Sequence, residues 1–220
     1  MPSLVELPND PYRLARHRMV EQQIRRRGIH DPAVVSAMSS VPRELFVGIQ
    51  TRDAAYDDCA LPIAGGQTIS QPYTVAFMAE RLGLKGNERV LEIGTGSGYG
   101  AAVLSLLAAE VHTIERLEEL AEAARGRLEC IGCRNVTVHV GDGSRGLPEH
   151  APFDAIVATA AAERLPPAYF DQLVDGGRIV APIGAGSRGQ TMYRYVRRGD
   201  RLDAESLGAF AFVPLVEASE

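Results

Sequence analysis

Three cysteines in 220 residues fit a reducing compartment. No apolar run is long enough to cross a membrane, and the start, Met1-Pro2-Ser3-Leu4, lacks a signal-peptide core, so a cytoplasmic protein is expected. Positive charge is not in excess. The 23 Lys and Arg against 28 Asp and Glu leave a net charge of −5, which argues against a broad nucleic-acid surface. The local exception is Arg13, Arg16, Arg18, Arg25, Arg26 and Arg27, read as the solvated face of a helix whose apolar side carries Leu14, Val20 and Ile24. Metal-ligand spacing is missing too. Cys130-Ile131-Gly132-Cys133 is a C-x-x-C without a second ligand pair, and it falls where a helix should end, with Gly132 placed for a left-handed cap. The five histidines show no ligand spacing. His112 and His139 fall in predicted strands and are expected to be packed or surface residues, and no metal is expected.

What is present suits one α/β domain with a modest addition: 45% of residues are hydrophobic and 23% charged. Residues 1–11 carry Pro2, Pro8 and Pro11 and read as a loose arm. Tyr12 to Arg27 reads as a helix ended by Gly28, and Asp31-Pro32 as the start of a second helix that breaks at Val41-Pro42. Residues 43–72 form a long turn-rich segment, the kind that is often functional. Pro72 opens a helix through Leu82. From Arg89 strands alternate with helices: strand 90–93, helix 99–108, strand 111–114, helix 117–130, strands 136–140 and 154–158, helix 166–174, strand 179–181. This order predicts a parallel sheet with right-handed crossovers. Thr191–Arg197 and Phe210–Val213 read as an antiparallel edge hairpin. The division expected is an arm, 1–11; helices and a substrate or lid loop, 12–82; and an α/β domain, 83–220.

The most informative stretch is Val90-Leu91-Glu92-Ile93-Gly94-Thr95-Gly96-Ser97-Gly98-Tyr99, read as strand, glycine turn, helix. Glycines at 94, 96 and 98 let the backbone approach a nucleotide-like cofactor at the strand's carboxyl end. Two cofactors compete. Gly96-x-Gly98-x-x-Ala101, with Glu115 about 20 residues on, fits a dinucleotide oxidoreductase. S-adenosylmethionine is favoured by Glu92, an acid inside the first strand that suits an amino group and a sulfonium rather than a pyrophosphate. Asp142, ending the third strand in Val140-Gly141-Asp142-Gly143, suits an adenine amino group. A serine-hydrolase reading fails, since no G-x-S-x-G occurs.

Beyond the glycine turn, Leu61-Pro62-Ile63 precedes the narrower run Gly66-Gln67-Thr68-Ile69-Ser70-Gln71-Pro72. With Pro152 to Ile156, Thr159-Ala160-Ala161, Gly176-Gly177 and Phe212-Val213-Pro214-Leu215, the chain from about Met19 to Leu215 resembles the protein-L-isoaspartate (D-aspartate) O-methyltransferases. The resemblance implies a Rossmann-like class I S-adenosylmethionine-dependent methyltransferase sheet with an N-terminal helical addition. It implies a monomer acting on isoaspartyl proteins and peptides, initiating their repair through a succinimide. It makes Ser70 the active-site serine, with Gln67 and Val213 beside it at the substrate. Glu115 would bind the cofactor's ribose, and Asp142 with Gly143 its adenine. Gly94, Thr95, Gly96, Ser97 and Gly98 would line its methionine part, and Thr68, Ile69 and Ser70 would close over the methyl group. The chain departs from the pattern at Gly100, where Gln is common, at Ala211, where Arg is frequent, and at Ser144, where a bulky residue is usual. The alternatives are an aspartate methyltransferase for a dedicated peptide, a dinucleotide oxidoreductase, and a non-catalytic S-adenosylmethionine-binding module.

The chemistry asks little of the protein in proton transfer. A carboxylate with a pKa near 4 is already ionised at neutral pH, so methyl transfer to it needs no general base. Ser70 is expected to aim one carboxylate oxygen by a hydrogen bond; capping the helix after Pro72 is its competing use.

Overall fold

Glycine and proline punctuate the first third of the chain. The computed structural model describes residues 10–184 and 189–216, so most of the arm expected at 1–11 lies outside them. Helix α1 (Arg13–Met19) runs on through a wide turn, Val20–Ile24, and a tight one, Arg25–Arg27, until Gly28 ends it with φ of 89°. Asp31 caps α2 (Pro32–Ser40), its carboxylate accepting from the N–H groups of Ala33 and Val34. Within the long irregular segment, β1 (Leu61–Pro62) and β2 (Thr68–Ile69) form a minimal antiparallel pair. Helix α3 (Pro72–Leu82) then starts on its proline and stops at Gly83.

The arginine-rich helix is not a purely solvated face. Arg16 is buried, its guanidinium 2.8 Å from Asp10 and 3.2 Å from Glu44, with Nε donating to the Tyr56 hydroxyl. Val20 and Ile24 are buried as expected, but Leu14 is 68% exposed. The helical period explains it: Arg16, Met19 and Val20 share a face, whereas Leu14 lies about half a turn away from its centre.

The regular part runs β3 (Arg89–Ile93), α4 (Tyr99–Ser105), β4 (Glu110–Glu115), α5 (Glu118–Cys130), β5 (Val136–Val140), β6 (Phe153–Ala158), α6 (Pro167–Asp171), β7 (Leu173–Ile183), β8 (Gln190–Arg198) and β9 (Arg201–Phe210). These seven strands lie in the order β5-β4-β3-β6-β7-β8-β9. Strands β3 to β7 are parallel, and β8 and β9 form an antiparallel edge hairpin. The sheet is the mostly parallel α/β sheet expected. Its direction of growth reverses at β3, flanked by β4 and β6, which opens a crevice at the carboxyl ends of these strands.

Two strands differ from expectation. The final one is Arg201–Phe210, not Phe210–Val213, because the chain turns tightly at Gly199-Asp200 and an edge strand with a polar, exposed surface needs no apolar run. Strand β7 begins at Leu173, so α6 is shorter than the helix expected over 166–174. Gly176, with φ of 75°, and Gly177 lie inside the strand at a register shift against β6, where a glycine pair reads as loop. Cys130-x-x-Cys133 closes α5 as expected, with Gly132 at φ of 83° and the Cys133 N–H on the Leu128 carbonyl.

One apolar core joins Met19, Ile24 and Met38 to α3, α4, Val90 and Val111, so the N-terminal helices share it with one face of the sheet. The other face buries Leu91, Ile93, Ile114, Phe153 and Ile156. No helix among the described residues is long and apolar enough to cross a membrane.

Candidate active site

At the crevice beside β3 lies a cleft of about 930 Å³. Of the residues picked from sequence, it is lined by Gln67, Thr68, Ile69, Ser70, Glu92, Gly94, Thr95, Gly96, Ser97, Glu115, Gly143 and Val213. Gly98 and Asp142 stand outside it. Gly98, at φ of 91°, starts α4 so close to α5 that a Cβ would lie 3.2 Å from that of Ala124. Its part is helix packing. Asp142 borders a neighbouring pocket that shares Ile114 with the cleft, and its Oδ1 accepts from the Ser144 N–H and hydroxyl at 2.9 and 2.7 Å. Ser144, one of the departures, thus orients this carboxylate.

Most amides of the glycine turn are bonded within the protein. The Gly94 and Thr95 N–H groups donate to the Ile114 carbonyl, Gly96 to Glu115, Gly98 to the Thr95 carbonyl and Tyr99 to the Ser97 hydroxyl. A pyrophosphate site needs such amides turned toward the ligand, and here they are spent inside the protein. Thr159, absent from the expected set of cofactor and substrate residues, pins the turn: its hydroxyl donates to the Ile93 and Gly94 carbonyls and would lie 2.5 Å from a Cβ at 94.

Two carboxyl groups complete the floor and rim. Glu115 accepts the Gly96 N–H on one oxygen and the Leu117 N–H on the other, which fixes its plane at the end of β4. Glu92 is 1% exposed and accepts from the Thr113 hydroxyl, itself 2.7 Å from that of Thr95. Burial, with help from the Glu115 charge, pushes the Glu92 carboxyl up to about 8, against the Thr113 hydrogen bond. Gly100 makes room for it, since a Cβ there would stand 2.2 Å from Glu92 Oε1. A buried carboxyl of this kind ionises most readily beside a cation, so the floor suits a ligand bearing an ammonium group.

The loop carrying Ser70 is packed over the turn. Ile63 Cδ1 lies 3.7 Å from where a Cβ of Gly96 would be, and Gly65, with φ of 65°, admits Leu117 Cδ1 within 2.8 Å of a Cβ position. Ile69 is buried, anchoring the short strand that Ser70 follows. The cap position of α3 falls to Gln71 with no side-chain cap bond, so the Ser70 hydroxyl is not used for capping. The opposite wall is the segment 213–215, zipped to Ala161 by the Ala161 N–H on Val213 O and the Leu215 N–H on Ala161 O. Arg27 also lines the cleft, its guanidinium 3.7 Å above the Tyr73 ring and paired with Asp58 at 3.1 Å. No local sequence signal marks Arg27, because both partners are remote in the chain.

With that geometry in place, the likenesses are specific. A family model described as Protein-L-isoaspartate(D-aspartate) O-methyltransferase matches residues 14–220. A protein-L-isoaspartate O-methyltransferase of Pelobacter propionicus is 55% identical over 213 residues, covering 96% of this chain and 94% of that protein. A solved structure of a protein-L-isoaspartate O-methyltransferase superposes with a TM-score of 0.83 at 31% identity, over 90% of this chain and 65% of its own. A Plasmodium falciparum structure in complex with S-adenosyl-L-homocysteine shares the fold, with a TM-score of 0.79 at 24% identity over 91% of this chain and 97% of its own.

Proposed function

We infer the activity from one premise: the chain belongs to the protein-L-isoaspartate(D-aspartate) O-methyltransferase family, and it methylates the free carboxylate of L-isoaspartyl and D-aspartyl residues in damaged proteins and peptides. The observation that carries the reading is a single cleft shared by Ser70, the glycine turn and the acids Glu92 and Glu115. S-adenosylmethionine supplies an activated methyl group, to which a carboxylate oxygen bonds as the carbon–sulfur electron pair returns to sulfur. Opposite charges cancel in that step, so bulk water opposes it and a dry, collinear site promotes it.

In this reading Glu92 and the turn Gly94–Ser97 receive the methionine part, Glu115 the ribose, and Gly143 with Asp142 the adenine. Ser70 donates a hydrogen bond that steers the acceptor oxygen. Gln67 and Val213 flank the peptide, and Thr68 and Ile69 close over the methyl group as part of a lid, Gly65 to Pro72. The chain then divides, after residues 1–11, as substrate-side helices and lid at 12–82 and a cofactor domain at 83–220. Three free cysteines support a cytoplasmic location, and a net charge of −5 supports peptides rather than nucleic acid as the partner; a monomer is proposed alongside.

Incubation with methyl-labelled S-adenosylmethionine and matched isoaspartyl and aspartyl peptides tests this. Base-labile label is expected on the isoaspartyl peptide alone. Equal labelling of both peptides favours a dedicated aspartate methyltransferase, and no labelling overturns the reading.

A further inference from the structure

Methyl transfer uses none of the five histidines, and three of them gather in one place. Positions 112 and 139 alternate with Val111 and Val138, which face α4 and α5, so both imidazoles emerge on the opposite face of the sheet. The connection from β5 to β6 has two tight turns there, Gly143–Arg145 and Pro148–His150, and no helix, and the second of them brings His150 over the pair. Among the described residues this is the one group of three such side chains with ligand atoms within 4.8 Å of one another.

We propose that His112, His139 and His150 bind a divalent transition-metal ion of the zinc, cobalt or copper class, at a site separate from the methyl-transfer cleft. His112 Nδ1 and His139 Nε2 lie 3.1 Å apart. Two nitrogens bound to one tetrahedral zinc at about 2.0–2.1 Å are separated by about 3.3 Å, so the pair is already spaced to share an ion. The His150 ring centroid is 4.5 Å from that of His112 and 4.8 Å from that of His139, close enough to supply the third nitrogen. Behind His112, Glu110 Oε1 stands 2.9 Å from Nε2, which directs Nδ1 toward the shared space. A carboxylate behind a ligating imidazole is the usual support for such a site.

The donor set selects the metal. Three imidazoles and no carboxylate in the inner set favour zinc, cobalt or copper over magnesium or calcium. His139 and His150 are half-buried, which leaves a further position open to water. Other charges nearby are already engaged. Arg89 is held by Glu110 and the His150 carbonyl, and Arg125 by Glu122 and the Val138 carbonyl; Glu149 adds negative charge beside His139. The bound ion would tie β4 and β5 to the turn ahead of β6, steadying the intervening segment with Asp142 and Gly143.

The test uses the full-length protein without a histidine tag, stripped with chelator and titrated with cobalt(II), followed by zinc(II) competition. One cobalt per chain with visible absorption of a low-coordinate ion is expected, and zinc should raise Tm. His150→Ala and, separately, His139→Ala should weaken cobalt binding by more than about tenfold, and Glu110→Gln by about tenfold. The exposed His17→Ala should leave binding unchanged. Isoaspartyl methylation by chelator-treated His150→Ala should match that of wild type treated the same way. Failure of the wild type to bind one equivalent, or equal binding by both histidine variants, means a packed histidine stack only and overturns the proposal.

Discussion

The turn Gly94–Gly98 and the loop Gly65–Pro72 are both rich in glycine and meet in one cleft, yet they are anchored differently. The turn is tied by backbone bonds to Ile114, by Glu115 and by the Thr159 hydroxyl, all on neighbouring strand ends. The loop is held by a two-residue strand pair and by the apolar side chains Ile63 and Ile69 and the Gly65–Leu117 contact. Hydrogen-bonded backbone at the end of a parallel sheet makes a rigid receptacle, whereas a short ladder with apolar pegs opens at lower cost. Under the proposed function, cofactor binding falls to the turn and acceptor positioning to the loop, and single substitutions can separate the two.

Ser70→Ala should show the largest effect. Losing one aiming hydrogen bond at the acceptor is expected to lower kcat by about 100-fold, the scale of a misplaced reactant. S-adenosylmethionine affinity by calorimetry should change little, because the turn is untouched. Unchanged turnover on an isoaspartyl peptide removes Ser70 from the mechanism and reduces the loop to a wall. Gly94→Ala is the converse. Its φ of 93° disfavours alanine, and the new Cβ would stand 2.5 Å from the Thr159 hydroxyl. About 2 kcal/mol of stability should be lost, read from the urea midpoint, with weaker cofactor binding but kcat near wild type at saturating cofactor. A drop in kcat alone breaks the division between the two segments.

How much of this was legible depended on where each signal resides. The β3–turn–α4–β4 unit was readable because alternation, glycines and helix period lie within one short window, and Asp31-Pro32 and Pro72 mark helix starts by local chemistry alone. Strand β9 was not readable, since Arg201–Phe210 is polar and largely exposed and owes its conformation to β8. Arg16 was misjudged because Glu44 and Tyr56, which bury and pair it, are remote in sequence. The same holds for Arg27 on Tyr73 and for the histidines, which only register and a connecting turn bring together. Ser70 in the cleft was anticipated through resemblance, not from spacing.

Glu92 offers a smaller, pH-dependent effect within the turn's own half of the site. Its folded value of about 8 lies above the ordinary carboxylate value the unfolded chain would have. The folded protein therefore keeps a proton that the unfolded chain gives up. Stability should fall as pH rises from about 4.5 to about 8 and level off above, with a slope no steeper than about 1.4 kcal/mol per unit. Glu92→Gln should flatten that slope in urea unfolding across the window. Cofactor binding near about pH 7 should release close to one proton as the ammonium draws Glu92 into its ionised form, seen by calorimetry in buffers of different ionisation enthalpy. No proton release separates Glu92 from the cofactor.

Gly100→Ala should give the smallest change and the sharpest reading of what the missing side chain at 100 does for Glu92. A methyl at 100 would meet Glu92 Oε1 at 2.2 Å, and the atom it meets is the end of a rotatable side chain rather than backbone. The carboxyl should turn out toward the cleft while α4 stays in place. Helix propensity favours alanine by up to about 1 kcal/mol, which offsets part of the lost Thr113 hydrogen bond, so net stability should move by less than that. The diagnostic change is electrostatic. Moved toward solvent, Glu92 should return toward its ordinary value, and the proton released on cofactor binding should shrink toward zero. Undiminished release would mean that the carboxyl is held by Thr113 alone and that Gly100 plays no part in tuning it.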